Sequence, residues 1–210
     1  MLQTISKFNR LFLAASISLS ALTFNSPKVD AIISQNLNLT ELSTSTGIYA
    51  QTSTEDIATA SEWKEFSPDE GQSSILMPNG DISDMTPDKS EMHEGVESTK
   101  MYLSLHGTDV YMVSYADFKN DVTQISSSEL LNSALEGMLG DEKQLLSEEN
   151  INLGAYPGKE IKLWDEKEKM TWTGRIFIVN QRMYMLLVVS DQNPQISDIR
   201  KFFDSFQLIQ

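Results

Sequence analysis

The chain of 210 residues carries 16 basic and 30 acidic residues, a formal net charge of −14, and no cysteine. The acidic balance repels nucleic-acid phosphates and anionic lipid headgroups, so neither is an expected partner. The missing cysteine excludes disulfides, thiolate metal sites, iron–sulfur clusters, cysteine nucleophiles and the lipid-attachment cysteine of a bacterial lipoprotein.

Lys7 and Arg10 precede an apolar run from Leu11 to Phe24, and the small-residue triplet Val29-Asp30-Ala31 follows. A basic start, a short apolar middle and a small-residue exit make residues 1–31 a secretory signal peptide. The apolar run is shorter than the about 20 residues a bilayer span needs. The mature chain is therefore expected outside the cytoplasm, in a periplasm or thylakoid lumen, with no membrane insertion. Ile48-Tyr49-Ala50 is a second candidate cleavage site. Residues 32–60 read as a flexible linker, rich in Ser and Thr (Ser43 to Gly47, Thr52 to Thr54) and poor in large apolar side chains. Asn38-Leu39-Thr40 is a glycosylation sequon that matters only in a host with the machinery.

Residues 61–210 are read as one folded domain, opening near Trp63. Trp63 and Phe66 precede the turn signal Pro68-Asp69-Glu70-Gly71, and Ile75 to Met77 end a second short strand before Pro78-Asn79-Gly80. Residues 79–91 hold Asp81, Asp84, Asp88 and Glu91 with few apolar anchors and read as a solvated loop. From Thr99 the period is two: Met101, Leu103 and Leu105 on one face, then a His106-Gly107-Thr108-Asp109 turn and Tyr111, Val113 and Tyr115, which makes a β-hairpin.

Ser126-Ser127-Ser128-Glu129 fits a capping box, and Ile125 and Leu130 fit the accompanying hydrophobic staple. Leu131, Ala134, Leu135, Met138 and Leu139 form the stripe of a helix that Gly140 stops. Leu145 to Leu153 is extended and half polar. Gly154-Ala155-Tyr156-Pro157-Gly158 turns the chain, and Lys159 to Trp164 alternates with Ile161 and Leu163 inward. Glu166 to Lys169 is a charged turn. Thr171 to Val179 places Trp172, Gly174, Ile176 and Ile178 on one face. Met183 to Val189 is apolar on both faces, as only a central strand covered on both sides is. Asn193-Pro194 predicts a cap and first helical residue, with Ile196, Ile199, Phe203 and Phe206 on one helical face. The fold class expected is α+β, an antiparallel sheet of about six strands built from consecutive hairpins and flanked by helices.

A set of short motifs carries a resemblance: the tryptophan-led opening strand, Met77-Pro78, the hairpin ending near Tyr115, the helix closing at Gly140, Ala155-Tyr156-Pro157-Gly158-Lys159-Glu160, Gly174-Arg175, and Phe202-Phe203-Asp204-Ser205-Phe206. Their order resembles the PsbP-like family of small exported α/β/α domains over residues 63–210. The resemblance implies a central antiparallel sheet with helices on both faces, and a periplasmic or thylakoid-lumen address. It also implies a non-catalytic accessory role at a membrane complex, photosystem II being the best-known case. It brings no shared catalytic set. The lack of cysteine departs from the lipid-anchored bacterial members and argues against tight membrane attachment.

The chemistry-bearing residues are few. A serine hydrolase needs a base beside its nucleophile. His93 and His106 are the two histidines, one at the end of an acidic loop and one in a turn, and no Gly-x-Ser-x-Gly elbow is present. Neither histidine has metal-site spacing. Asp81, Asp84, Asp88 and Glu91 are the residues for weak binding of a divalent cation such as calcium, but they lack the glycine and spacing of an EF-hand loop, and a solvated loop is the stronger reading. Asp141/Glu142 and Glu148/Glu149 are read the same way. Gly154 and Gly158 are explained by permissive turn angles. Arg175, alone among apolar neighbours on its strand, is expected to pair with a carboxylate across the sheet, an anion pocket being the alternative. Tyr156 and Trp164 are candidates for a contact surface. No catalytic, cofactor-binding or metal-ligating residue and no cofactor is assigned. The chain is expected to be an accessory or binding protein, not an enzyme. A small-ligand or cation-binding periplasmic protein, or an enzyme with an unrecognised carboxylate site, is the alternative.

Overall fold

The computed structural model describes residues 63–92, 95–119, 124–191 and 195–209. The expected signal peptide, linker and cleavage sites, the sequon, His93 and Asn193-Pro194 lie outside the described residues.

Among the described residues ten strands and two α-helices follow in chain order. They are β1 (Trp63–Phe66), β2 (Ser73–Pro78), β3 (Ser83–Asp84), β4 (Val96–His106), β5 (Asp109–Phe118), α1 (Ser127–Leu139), β6 (Lys143–Leu153), β7 (Tyr156–Asp165), β8 (Met170–Val179), β9 (Arg182–Ser190), α2 (Ile196–Asp204) and β10 (Gln207–Leu208). The main sheet has seven strands in the order β3-β4-β5-β9-β8-β7-β6, and a small sheet has the order β1-β2-β10. Every pairing is antiparallel.

The strand order corrects the expectation of consecutive hairpins. β5 pairs with β9, not with β6. The chain crosses to the far edge through α1 and returns by three hairpins, so β9 arrives last at the centre of the sheet. That place suits it, because Met183 to Val189 are all buried. Residues 79–91 are also more ordered than a solvated loop: Ser83 and Asp84 pair with Leu103 and Tyr102, and Lys89–Glu91 make one 3-10 turn. The turn before β7 is shorter than expected, since Tyr156, Pro157 and Gly158 already belong to the strand.

The sheet divides two cores. On one face α1 buries Leu130, Leu131, Ala134, Leu135 and Met138 against Leu163, Trp172, Ile176 and Leu187, while Met85 and Met92 pack beside Met101 and Leu103. On the other face α2 and the small sheet bury Phe202, Phe203, Trp63, Ile75 and Met77 against Tyr111, Tyr184, Leu186 and Val188. The α/β/α description therefore needs correcting. The fold is antiparallel and strand-rich, with seven strands in place of six, and the second face is shared between a nine-residue helix and a three-stranded sheet.

Local chemistry explains the helix starts. The Ser126 hydroxyl accepts from the Glu129 amide at 3.2 Å, and Glu129 reaches back to the Ser126 amide at 3.1 Å, the expected capping box. Gly140 ends α1 with φ at +52°. Gln195, two residues after Asn193, holds the cap position of α2 and makes no side-chain cap hydrogen bond.

Candidate functional site

The second face of the main sheet is covered unevenly. On β7, Ile161 and Leu163 enter the α1 core, so the alternating residues Glu160, Lys162 and Trp164 point to the α2 side. Lys162 is exposed there and Glu160 and Trp164 are half-buried. Beside them, β6 is the last strand of the sheet, and residues 144 to 150 are all exposed. Leu145 and Leu146 are 42% and 53% exposed, two of the four large apolar side chains so exposed among the described residues.

The backbone of β6 is irregular at the same place. The register with β7 shifts between Leu145 and Ser147, a bulge at Leu146. Charge further along blunts self-association: Glu148 and Glu149 lie mid-strand, and an antiparallel copy of β6 would meet them with its own glutamates. Of the neighbouring cations, Lys159 and Lys143 are committed to Glu148 and Asp165 respectively, while Lys162 lies exposed across from Ser147. Asp141 and Glu142 add two exposed carboxylates just before the strand. The result is an open edge with an apolar step at Leu145 and Leu146 set in negative charge.

The candidate residues read from sequence fall as follows. Arg175 pairs across the sheet as expected, its Nε donating to Glu160 at 2.6 Å and its Nη1 to Asp204 at 2.9 Å, with the guanidinium 5.1 Å from the Phe203 ring centre. It is a tie between β7, β8 and α2. Trp164 donates from Nε1 to Glu166 at 2.6 Å, which fixes the indole at the rim of the open face. Tyr156 packs against the second core instead. Asp84 accepts from the Thr86 amide at 2.8 Å, a turn-forming role. Among the described residues no group of three or more His, Asp or Glu is arranged to hold a metal ion. Gly154 has φ of +61° and needs its freedom. Gly158 does not: it lies within β7, and what it needs is space, since an added Cβ would meet the Phe177 ring and the Ile176 carbonyl.

His106 is not the exposed turn residue expected. Its Nε2 lies 3.7 Å from Asp198 Oδ2 on α2, and its ring lies 6.0 Å from Trp63. Asp109, its register partner, is buried at 8% exposure. Burial raises the Asp109 pKa, with Asp191 and Asp198 adding to the effect and His106 opposing it. The Tyr111 hydroxyl and Ser190 Oγ are buried without a hydrogen-bond partner. This serine cannot serve as a nucleophile for an outside substrate, because Ser190 is fully enclosed. Sequence spacing held no sign of the cluster: its members come from β4, β5, β9 and α2, and only the tertiary fold brings them together.

No family model matches the chain, and no curated protein matches it. No helix among the described residues is long and apolar enough to cross a membrane. Several solved structures are similar. Cyanobacterial PsbP (CyanoP) from Synechocystis sp. PCC 6803 matches over 75% of this chain and 98% of that chain, at 11% identity and a TM-score of 0.48. A protein of unknown function from Pseudomonas aeruginosa matches over 62% of this chain and 84% of its own, at 8% identity and 0.37. A protein from Bacteroides thetaiotaomicron VPI-5482 matches over 71% of this chain and 49% of its own, at 10% identity and 0.41. At these identities and TM-scores the likeness is one of overall chain path alone.

Proposed function

We propose that this chain is an exported, non-catalytic accessory protein of the PsbP-like type that acts by binding a subunit of a membrane complex, photosystem II being the example the resemblance points to. The observation that supports it is the open β6 edge with exposed Leu145 and Leu146 beside the uncovered Trp164 face. An extended segment of a partner can add a strand to such an edge, taking affinity from main-chain hydrogen bonds. Glu148, Glu149, Asp141 and Glu142 favour a partner segment with basic side chains and oppose a second copy of this chain.

The test is site-specific photo-cross-linking in the native host, with the cross-linker in place of Leu146 and a control at Glu136 on α1. The reading expects a cross-link mapped to a basic segment of a membrane-complex subunit, lost on the double change Glu148→Lys, Glu149→Lys. Cross-links no stronger than at Glu136, or mapped to this chain's own residues, would overturn it.

A further inference from the structure

The bulge gives the two faces of β6 different chemistry. Residues four apart on a regular strand share a face. Leu145 and Glu149 do not: Leu145 lies across from Leu163, on the α1 side, and Glu149 lies across from Glu160, on the α2 side. The register shift between Leu145 and Ser147 supplies the extra residue that turns them apart. Charge divides along the same line. On the α1 side, Glu148 lies across from Ile161 and is paired with the buried Lys159, so its charge is already met. On the α2 side, Arg175 is shared between Glu160 at 2.6 Å and Asp204 at 2.9 Å, and Lys162 stands one row away across from Ser147. Three carboxylates, Glu149, Glu160 and Asp204, thus share that side with two cations, Arg175 and Lys162. Glu149 is exposed and has no ion-pair partner among the described residues. It stands on the outermost strand, and a further strand would place a side chain about 5 Å from it.

We infer, building on strand addition at β6, that the partner segment is an amphipathic strand. Its apolar face turns to the α1 side and meets Leu145. Its basic face turns to the α2 side and sets a lysine or arginine opposite Glu149. The spacing of these two residues follows from β7, where Leu163 and Glu160 stand opposite Leu145 and Glu149 and are three residues apart. A partner strand that crosses the bulge as β7 does carries its apolar anchor and its cation three residues apart, which places them on opposite faces. Main-chain hydrogen bonds hold any extended segment to the edge, and the alternation of its side chains then decides which segment fits. A cation turned to the α1 side meets Glu148 already neutralised and Lys159 beside it. A segment with its apolar and basic residues in separate blocks is therefore the poorer fit, even at the same net charge.

The experiment is a titration of the isotope-labelled full chain with two end-blocked synthetic peptides of one composition, read from the amide shifts of β6. One peptide alternates valine and lysine, and the other holds its valines and lysines in separate blocks. The alternating peptide is expected to bind about tenfold more tightly, since it alone offers both faces at once. Glu149→Lys should lower its affinity about tenfold, by turning an attraction across the edge into a repulsion. Glu136→Lys makes the same charge change on the exposed side of α1 and should lower it no more than about twofold, because salt screens charge at that range. The amide spectrum shows whether each variant is folded, and Glu149→Gln, with a loss of about threefold, stands in if Glu149→Lys is not. Equal affinity for the two peptides, or equal losses at residues 149 and 136, would overturn the amphipathic partner and leave strand addition at β6 in place. Shifts at β6 with neither peptide would overturn both.

Discussion

The Arg182 guanidinium grips Asp117 with two donors, Nε to Oδ1 at 2.6 Å and Nη2 to Oδ2 at 2.9 Å. Its Nη1 also donates to the Glu70 carbonyl at 2.6 Å, and its plane lies 4.4 Å from the Tyr115 ring centre. One side chain on the central strand thereby joins β5, the loop after β1 and an aromatic wall that includes Tyr184, whose hydroxyl donates to the Gly71 carbonyl at 2.7 Å. Burial alone would raise the Asp117 pKa, but hydrogen bonds from Arg182 and Ser98 outweigh it and hold it below the ordinary 3.8.

Asp117→Asn should cost about 2 kcal/mol at pH 7, the value of charge-assisted hydrogen bonds to a partly buried group. The sign with pH follows from the lowered pKa. The stability tied to Asp117 is present above 3.8 and is lost as the pH falls through the lower folded value. Urea unfolding at pH 7 and pH 3 checks this: the variant should lose less stability on acidification than the wild type.

Ser126→Ala should cost about 1 kcal/mol by removing the acceptor for the Glu129 amide. The fold should be kept, because the α1 stripe is untouched. Chemical denaturation with unchanged slope is the measurement, and Ser126→Asp should restore most of the loss, since aspartate is an equally good cap.

Gly158→Ala should destabilise by about 2 kcal/mol through overpacking. Its Cβ would lie 2.6 Å from the Ile176 carbonyl oxygen, which the β7–β8 ladder holds in place. Gly154→Ala should also destabilise, for another reason, as it forces a side chain to φ of +61°. Thermal unfolding of the two variants, each beside a Gly→Ser change at the same position, separates space from backbone angle. At residue 158 the larger side chain should be worse, and at residue 154 the two should be alike.

Arg175→Met should change stability by less than about 1 kcal/mol, since its carboxylate partners are open to solvent and the methionine keeps the contact with Phe203. Asp204→Asn should be close to neutral. Urea unfolding at low and high salt checks both, and the small wild-type contribution should shrink with salt.

Periodicity made most of the strands, the capped helix and the central place of β9 legible. Met183 to Val189 could only be a strand with both faces covered, whatever lay beside it. The seven-strand order was not legible, because pairing β5 with β9 depends on where α1 carries the chain and not on any local pattern. The open edge was half visible: Trp164 was a contact candidate, but the exposure of Leu145, across from Leu163 on the α1 side, and of Leu146 follows from β6 being an edge, which is a property of the whole sheet.

By itself the sequence determined the acidic balance, the absence of thiol chemistry and the alternation that builds two apolar faces. Each of these is a property of composition or of residues within one turn or strand. The tertiary structure alone decided which polar residues meet. His106 and Asp198 are distant in the chain, and an electrostatic contact acts over a few ångströms of space without regard to the number of residues between.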